Sequence, residues 1–483
     1  MAKKILVIED DALVIRSVER YLESQGYNVE AVQSGREAIE KAKKLDFDLI
    51  ISDIRMPEMD GIEVLRRIRE ASPQYNKEKI PIIIITAYAG GDEVYKKASE
   101  IGIVECIYKP FEPDEFMEVV RRNLELPPKY REISLDYKLL DNEFVSLTNE
   151  LEEFLKDVKD RFDEFDRVNK DEKRQIEFIR MNKKEIFTKL DDYFAKIWQI
   201  VKDFERNKYI VHQNYYQQRL CPLIEKKIEI NKHIFRKTLG YAGDYITMNY
   251  IYDYNGDENY LGKSSYEKLI NNYTCNIPIS CSNIKRKEFL KEKILETLGE
   301  ENKAKILSVG CGPVRELIEL IKEGKITKPL LFTGLDFERK VLDYISNEID
   351  KIEEKNKHFL SLEYICRDIT SIVRDKALKE KLKGQNLIYA SGIFDYLSDR
   401  MASRLTQELY QLLDKGGKLI ICNVSLENST HRAYYELLGE WNMMHRTRRQ
   451  MLKWVVDIED VREIRFEEPQ GHNNYLFLSI EKI

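Results

Sequence analysis

The feature that most constrains this chain is a repeated alternation of short apolar runs with amphipathic helical segments. In residues 1–126 the runs are KILVIE, NVEAV, FDLIISD, IPIIIITA and VECIYK. Five such repeats predict an open parallel sheet covered by helices on both faces. The pattern returns after residue 300, and the last segment, VREIRFEEPQGHNNYLFLSIEKI, predicts two strands of an antiparallel hairpin. The predicted fold class is therefore α/β, with two doubly wound domains.

A charged helical region joins the two α/β patterns. It contains almost no Gly or Pro, and its apolar residues recur at steps of three and four. One interpretation is a pair of helices packed on neighbouring domains. The other is a signalling helix or a dimer seam, which would make the protein a homodimer. The two apolar series are Leu147, Leu151, Phe154, Val158, Phe162 and Phe165, and Ile186, Leu190, Phe194, Ile197 and Val201.

The predicted domain organisation has three parts. The first α/β domain covers 1–126, the helical connector covers 127–230, and the second α/β domain covers 231–483 with a lid segment at its start. A length of 483 residues at about 150 residues per domain agrees with three units.

Composition excludes several classes of protein. The formal net charge is −6, without the local cationic excess of a nucleic-acid binder. No apolar run reaches the length of a membrane span, and the start, MAKKILVIEDD, lacks a signal peptide's apolar core. The seven cysteines include no CxxC pair, which indicates neither a zinc site nor a disulfide framework. We expect a cytoplasmic protein that binds no nucleic acid.

Charged and hydroxyl residues end several predicted strands of the first domain. Glu9 and Asp10 follow the first run, Asp53 ends the third, Thr86 ends the fourth and Lys109 ends the fifth. The carboxyl ends of parallel strands meet at one edge of a sheet. Three carboxylates together suit Mg²⁺, and a carboxylate beside Mg²⁺ can accept a phosphoryl group. The alternative is a surface acidic cluster on a flavodoxin-like fold.

These motifs resemble the receiver domain of bacterial two-component response regulators over about 120 residues. The matching motifs are Glu9-Asp10, Asp53 followed by RMPEMDG, Thr86-Ala87 and Lys109-Pro110-Phe111. The resemblance implies that Asp53 is the phosphoacceptor, that Glu9 and Asp10 help it bind Mg²⁺, and that Thr86 and Lys109 sense the phosphoryl group. It also implies a cognate sensor histidine kinase as partner.

One position departs from the receiver pattern. The family usually carries an aromatic switch residue three positions before the lysine, and this chain has Cys106 there, with Tyr108 nearby. The departure puts the usual coupling between Thr86 and an aromatic residue in doubt, so signal output is expected to use another face.

A second candidate site begins at the segment KILSVGCGPVREL, which predicts a strand, a glycine turn and a helix. Gly310 and Gly312 permit a tight turn and close backbone approach to a ligand. Asp336 ends the next strand, where a carboxylate can accept hydrogen bonds from both ribose hydroxyls. Asp368 ends the third strand. A dinucleotide site is the competing interpretation, but Arg315 stands where its third glycine belongs.

Residues 285–483 resemble a class I S-adenosylmethionine-dependent methyltransferase. Over 210–483 the motifs GYAGDYITMNYIY, SNIKRK, VGCGPVREL, YASGIFDYLSDR and W-x-x-x-HRTRRQM resemble bacterial 3-hydroxy-fatty-acid methyl ester biosynthesis proteins. The departures are Ser308 in place of an acid before the loop and Val314 in place of a third glycine. The cofactor-binding residues implied are Gly310, Cys311, Gly312, Asp336, Phe337, Asp368, Ile369, Ser391 and Arg286. Arg286 would pair the methionine carboxylate, or it is an exposed helix arginine.

Further residues are candidates for catalysis or for binding a small methyl acceptor. The segment SGIFD replaces the NPPY type used on base nitrogens, which argues against nucleic-acid methylation. A carboxylate acceptor would need no general base. His445 and Arg446 would hold an anionic substrate, or they belong to a solvated basic face. Tyr241, Asp244 and Tyr245 would form a lid, or a turn held by glycines. The candidates are Tyr241, Asp244, Tyr245, Asp395, Tyr396, His445 and Arg446.

The predicted function is phosphorylation-regulated methyl transfer to a small acceptor, such as a hydroxy fatty acid carboxylate. Two alternatives stay open. The C-terminal half is a non-catalytic signalling scaffold that binds S-adenosylmethionine or a partner protein, or it is a protein methyltransferase.

Overall fold

The computed structural model describes most of the chain, and the chain divides into two compact units. The first unit is Met1–Leu140 with Phe235–Tyr241, and the second is Asp141–Ile234 with Ala242–Ile483. The described residues are 3–53, 56, 59–71, 80–86, 103–108, 113–125, 139–224, 228–236, 243–427, 429–469 and 474–483.

The first unit is built on a five-stranded parallel sheet with the order β2-β1-β3-β4-β5. Its strands are β1 (Lys4–Ile8), β2 (Asn28–Val32), β3 (Leu49–Asp53), β4 (Ile82–Thr86) and β5 (Ile103–Tyr108). Its described helices are Ala12–Ser24, Gly35–Lys44, Gly61–Ala71 and Pro113–Glu125. This strand order is that of flavodoxin-like folds.

Both faces of this sheet are covered, which explains why its strands are continuous apolar runs. Leu6 and Ile8 of β1 pack into a cluster on one face, and Ile5 and Val7 pack into a second cluster on the other. The predicted parallel sheet is therefore confirmed.

The second unit begins with three helices, Asn142–Val168, Glu172–Val201 and Arg206–Ile224. Asp141 and Asp171 cap the first two, because their carboxylates accept backbone N–H groups of the first turn. Much of the predicted apolar seam is buried within the chain, and Phe165 stacks on Phe178 with ring centroids 3.9 Å apart.

A mixed seven-stranded sheet completes the second unit, with the order β11-β12-β10-β9-β6-β7-β8. Strands β10, β9, β6, β7 and β8 are parallel, and β12 is antiparallel to both β10 and β11. The C-terminal antiparallel hairpin is thus confirmed. The strands are β6 (Ala304–Val309), β7 (Leu330–Asp336), β8 (Leu360–Cys366), β9 (Gln385–Ala390), β10 (Leu413–Val424), β11 (Val461–Glu467) and β12 (Tyr475–Lys482).

Helices flank this second sheet. The longest is Pro278–Glu300, which leads into β6. The order of the sheet reverses between β6 and β9, and ligands bind α/β sheets at such a reversal, beyond the carboxyl ends of the strands. The other helices are Glu229–Arg236, Tyr245–Tyr254, Ser265–Asn276, Arg315–Lys322, Arg339–Asp350, Glu354–Lys357, Thr370–Arg374, Lys376–Leu382, Asp399–Gln411 and Arg448–Leu452, with a π-helix at Ala433–Leu438 and 3₁₀ turns at Phe394–Tyr396 and Lys453–Val455.

Within the described residues, no helix combines the length and apolar character needed to cross a bilayer.

Candidate functional sites: an acidic pocket and a glycine-loop crevice

Three carboxylates meet at the carboxyl edge of the first sheet. Glu9 and Asp10 directly follow β1, and Asp53 is the last residue of β3. One carboxylate oxygen of each residue lies within 4.8 Å of the corresponding oxygens of the other two. Glu9 and Asp53 are buried, while Asp10 is exposed. The order of the sheet reverses between β1 and β3, which brings the two strand ends to one crevice.

This donor set fits a hard divalent cation. Three anionic groups this close repel one another unless a cation lies among them, and Mg²⁺ prefers a few carboxylate oxygens together with water and phosphate. Glu9 is further oriented by the Asp11 backbone N–H, which donates to its Oε1 at 3.3 Å. The predicted acidic pocket is therefore consistent with Mg²⁺ binding.

The remaining receiver candidates are less completely described. Thr86 is the last residue of β4, which pairs with β3 beside Asp53. Lys109 lies outside the described residues. Cys106 is within β5, but only its backbone is described. The predicted roles of these three residues stay predictions.

Residues 5–121 match the family of response regulator receiver domains. They are 42% identical over 113 residues to the transcriptional regulatory protein ResD of Bacillus subtilis, covering 23% of this chain and 44% of that protein. They are 36% identical over 121 residues to a probable transcriptional regulator, ycf29, of Porphyra purpurea, covering 25% of this chain and 56% of that protein. The chain therefore spans about half the length of these curated relatives.

Solved structures match the same segment. The Vibrio cholerae chemotaxis protein CheY4 is 32% identical and covers 26% of this chain and 100% of its own, with a TM-score of 0.24. TrrA of Thermotoga maritima, solved in complex with Mg²⁺ and BeF, is also 32% identical and covers 25% of this chain and 99% of its own, with a TM-score of 0.22.

The N-terminal part of the chain is a response regulator receiver domain. A receiver domain carries a phosphorylation site, and the acidic pocket of Glu9, Asp10 and Asp53 is consistent with the Mg²⁺ site of such a domain. These similarities cover about a quarter of the chain, and they leave the family of the C-terminal α/β region unidentified.

In the second unit, the glycine turn after β6 lies at the reversal of the sheet. Gly310 and Gly312 have φ angles of +60° and +55°, a region that L side chains rarely adopt. A Cβ on Gly310 would lie 2.0 Å from Cγ2 of Ile393, in the segment that follows β9. Cys311, buried between the two glycines, donates its backbone N–H to the Leu335 carbonyl at 3.1 Å. The turn is therefore packed against β7 and the post-β9 segment at once.

Asp336 connects this turn to the end of β7. Its Oδ2 accepts the Gly312 backbone N–H at 3.1 Å, and its Oδ1 accepts the Glu338 N–H at 3.0 Å. Burial raises the pKa of Asp336, while these two hydrogen bonds act against the rise. The next side chain, Phe337, is 43% exposed, so an aromatic surface lies open beside the carboxylate.

Asp368, Ile369 and Ser391 follow β8 and β9 at the same edge of the sheet. The Asp368 carboxylate accepts the Thr370 N–H at 2.7 Å. Ile369 packs against a buried apolar cluster that includes Leu307, Leu335 and Ile388. Ser391 directly follows β9 and is partly buried. The structure thus brings these three predicted residues to the carboxyl edge that also carries Gly310 and Asp336.

Arg286 is buried in the helix Pro278–Glu300, so its interpretation as an exposed helix arginine is wrong. Its guanidinium lies over the Tyr475 ring, 4.7 Å from the centroid, and Nη1 is 3.7 Å from the position a Cβ would take on Gly392. The Tyr252 hydroxyl is a hydrogen-bonding neighbour. Within the described residues no carboxylate forms an ion pair with Arg286.

Asp395 and Tyr396 follow Gly392 on the same segment. Asp395 is buried, and its Oδ1 accepts the Val424 N–H at 2.6 Å. Burial raises the pKa of Asp395 to about 6, against the opposite influence of that hydrogen bond and of Arg286. Tyr396 keeps 37% of its surface accessible and accepts a hydrogen bond from Trp441 Nε1 at 2.8 Å.

The predicted lid contacts Trp441, the residue whose indole donates to Tyr396. A Cβ on Gly243 would lie 2.7 Å from the Trp441 ring, so the turn before Asp244 packs directly on it. Asp244 is fully buried and caps the helix Tyr245–Tyr254 through the Thr247 N–H. Tyr245 packs on Tyr344, with ring centroids 5.1 Å apart. Tyr241 lies outside the described residues.

Sequence reasoning missed the partner of Asp244. Nε2 of His233 lies 2.8 Å from its Oδ2. His233 precedes Asp244 by eleven residues, and no spacing motif marks the pair.

His445 and Arg446 are buried, so their interpretation as a solvated basic face is wrong. Arg446 donates to the Phe394 carbonyl at 2.8 Å, to Asn423 Oδ1 at 2.8 Å and to the Leu397 carbonyl. These bonds hold the segment that carries Asp395 and Tyr396. The prediction that Arg446 holds an anionic substrate stays untested.

His445 belongs to a second buried cluster that the sequence did not reveal. Its Nδ1 lies 3.0 Å from the Met443 carbonyl, and its Nε2 lies 3.2 Å from the Tyr435 hydroxyl and 3.3 Å from Glu436. Burial, with the nearby Arg432 cation, lowers the pKa of His445 to about 3, so the imidazole is neutral. Burial raises the pKa of Glu436 to about 7, against the pairing with Arg432. The close approach of His445 and Glu436 is therefore not an ion pair at neutral pH.

Proposed function

We propose that this protein is a response regulator whose C-terminal unit transfers a methyl group from S-adenosylmethionine to a small acceptor. The observation that carries the proposal is the set of groups around one crevice. A glycine turn, a ribose-type carboxylate at Asp336, an open aromatic face at Phe337 and the buried guanidinium of Arg286 all belong to one unit. The resemblance to class I methyltransferases points to the same ligand.

The chemistry of these side chains fits the parts of S-adenosylmethionine. Asp336 would accept hydrogen bonds from the ribose hydroxyls. Phe337 would cover the base together with Asp368 and Ile369. Gly312 has a positive φ angle, and a Cβ placed on it would meet no atom within 4 Å, so the turn would offer backbone to a ligand at this position. Arg286 would bind the amino-acid carboxylate, since it has no anionic partner among the described residues.

When bound, this cofactor supplies an electrophilic methyl group on a sulfonium. The chain's own residues would then orient the acceptor and exclude water. Asp395 and Tyr396 lie beside Gly392 on the post-β9 segment, where they would face that methyl group. Arg446 would act as a positioning residue through its bonds to the Phe394 and Leu397 carbonyls.

We propose a hydroxy fatty acid carboxylate as acceptor, by the resemblance to methyl ester biosynthesis proteins. Exposed apolar side chains support this choice, because Met444 and Leu426 are each 47% exposed, and the Leu426 N–H donates to the carbonyl of Arg446 at 2.9 Å. The Met444 N–H donates to the Asp395 carbonyl at 2.7 Å, which ties Met444 to the proposed acceptor position.

The receiver domain would control this activity. A cognate sensor histidine kinase would phosphorylate Asp53 with Mg²⁺ in the acidic pocket, and the change would alter methyl transfer in the second unit. The alternative that stays open is a signalling scaffold that binds the cofactor or a partner protein without turnover.

The experiment is a calorimetric titration of the full chain with S-adenosylmethionine, followed by a radiolabelled methyl-transfer screen with and without a phosphoryl donor. Asp336→Ala should abolish binding, while Asp343→Ala, on an exposed acid of the next helix, should leave it unchanged. No binding by the wild-type chain would refute the cofactor assignment. Binding without label transfer to any small molecule would favour the scaffold, and label on a polypeptide would indicate a protein methyltransferase.

A further inference from the structure

A π-helical turn, Ala433–Leu438, lies between the N-terminal helices of the second unit and the proposed acceptor end of the crevice. A π-helix is rare, and single turns of it occur often at functional sites. The Gly439 N–H donates to the Tyr434 carbonyl five residues earlier, at 3.2 Å. The last carbonyl groups of a helix lack backbone donors and need partners from elsewhere.

The helix Arg206–Ile224 supplies such partners to the Leu437 and Leu438 carbonyls, and adds one to the Glu436 carbonyl, which also accepts the Glu440 N–H at 2.9 Å. Gln213 and Gln217 are one turn apart and therefore share a face of this helix. Gln213 Nε2 donates to the Glu436 and Leu437 carbonyls at 3.3 and 3.2 Å, and Gln217 Nε2 donates to the Leu437 and Leu438 carbonyls at 3.4 and 3.0 Å. Two side-chain amides thus stabilise the end of the π-turn.

The helix Glu172–Val201 holds the start of the same turn. The Arg432 guanidinium lies over the Trp198 ring, 4.2 Å from its centroid, and it also donates to both oxygens of Glu436 at 2.8 and 2.9 Å. His431 Nε2 lies 2.8 Å from Asp191 Oδ1. Both helices therefore fix the position of the π-turn.

On its other side the π-turn reaches the crevice. The Trp441 N–H donates to the Tyr435 carbonyl at 2.7 Å, and the Trp441 indole donates to the Tyr396 hydroxyl at 2.8 Å. The Tyr435 hydroxyl lies 3.2 Å from His445 Nε2. Tyr396 follows Asp395 directly. An unbroken series of hydrogen bonds and covalent links thus runs from Gln213 and Gln217 to the proposed acceptor position.

We propose that Gln213 and Gln217 are positioning residues for the acceptor end of the crevice, acting through the π-turn and Trp441. The effect on catalysis rests on the proposed function. The contacts from which we infer the positioning role are independent of that function. The helical region is then part of the machinery that sets acceptor geometry. A change in how helix Arg206–Ile224 packs would move the π-turn, and with it Trp441 and Tyr396. The series meets the post-β9 segment at Tyr396, whereas the glycine turn meets that segment at Ile393 and Asp336 lies on β7. We therefore expect cofactor affinity to change much less than the KM for the acceptor.

The test uses the full-length double variant Gln213→Met/Gln217→Met, which keeps side-chain length and removes the amide donors. Asn214→Ala is the matched control, because its amide donates to the Ile210 carbonyl of its own helix at 3.0 Å. Amide hydrogen exchange is measured over 391–397 and 433–446. We expect exchange in both segments to rise at least about fivefold in the double variant, the factor that one ordinary hydrogen bond represents, and to stay unchanged in the control.

Kinetics supply the second readout. We expect the KM for the acceptor to rise at least about fivefold while the dissociation constant for S-adenosylmethionine stays within about twofold. Faster exchange confined to 433–446, or a loss of cofactor affinity equal to the change in KM, would overturn the positioning role. If the wild-type chain transfers no methyl group, the proposed function fails, and the exchange at 391–397 still decides this inference by itself.

Discussion

Replacing Gly310 by alanine tests the packing that joins the glycine turn to the post-β9 segment. Gly310 has a φ angle of +60°, and a Cβ there would lie 2.0 Å from Cγ2 and 3.4 Å from Cβ of Ile393. Gly312 offers a matched control two residues away. Its φ angle is +55°, but an added Cβ would meet no atom within 4 Å. Comparing the two alanine variants therefore separates the cost of a left-handed backbone from the cost of the steric contact with Ile393.

The expected magnitudes follow from these two geometries. A residue with a side chain in the left-handed region costs about 1–2 kcal/mol, which both variants incur. Forcing an extra methyl group into a packed site adds about 1–3 kcal/mol, which only Gly310→Ala incurs. We therefore expect Gly310→Ala to lower the free energy of unfolding by about 2–5 kcal/mol and Gly312→Ala by about 1–2 kcal/mol.

The assay is urea unfolding followed by tryptophan fluorescence. All three tryptophans, Trp198, Trp441 and Trp454, belong to the second unit, so the signal reports that unit alone. The double variant Gly310→Ala/Ile393→Ala should show a favourable coupling of at least about 1 kcal/mol, because truncating Ile393 removes the clash. Equal losses for the two glycine variants, or a coupling below about 0.5 kcal/mol, would refute the reasoning.

Three further outcomes are expected. Arg446→Met should lower the free energy of unfolding by about 3 kcal/mol, because its buried hydrogen bonds to backbone carbonyls are lost; the exposed Arg448→Met should change it by less than about 0.5 kcal/mol in the same urea assay. The pKa of Asp395 in the folded state, about 6, lies above its usual value of 3.8, so the folded state holds the extra proton between these values. Wild-type stability should therefore fall by about 2 kcal/mol relative to Asp395→Asn as the pH rises from 4 to 7, and parallel pH profiles would contradict this. Asp53→Asn should weaken Mg²⁺ binding at least about tenfold in calorimetry, whereas the exposed Asp46→Asn should not.

Tertiary packing decided the environment of residues whose sequence patterns have two meanings. His445 and Arg446 lie in a Lys/Arg-rich stretch that is typical of a solvated face, yet both are buried. An exposed helix arginine was one interpretation of Arg286, yet this residue is buried, with its guanidinium over the Tyr475 ring. Burial depends on what other segments cover a residue, and local spacing carries no information about those segments.

The contacts around the proposed acceptor position could not be predicted from the sequence either, because they also join segments that are far apart in the chain. Trp441 reaches Tyr396 across 45 residues, and Gln213 reaches the Glu436 carbonyl across 223. The π-turn itself has no sequence signature, because its geometry depends on donors that other helices supply.

The sequence by itself determined the two α/β patterns, the C-terminal hairpin and the convergence of Glu9, Asp10 and Asp53. Strand periodicity is local, and the carboxyl ends of parallel strands meet at one edge whatever the rest of the fold does. Only the tertiary structure decided that Gly310 packs on Ile393, that Arg286 is a buried cation, and that the helical region holds the π-turn beside the crevice. These features arise from contacts between segments far apart in the chain, whose formation is set by how the elements pack together.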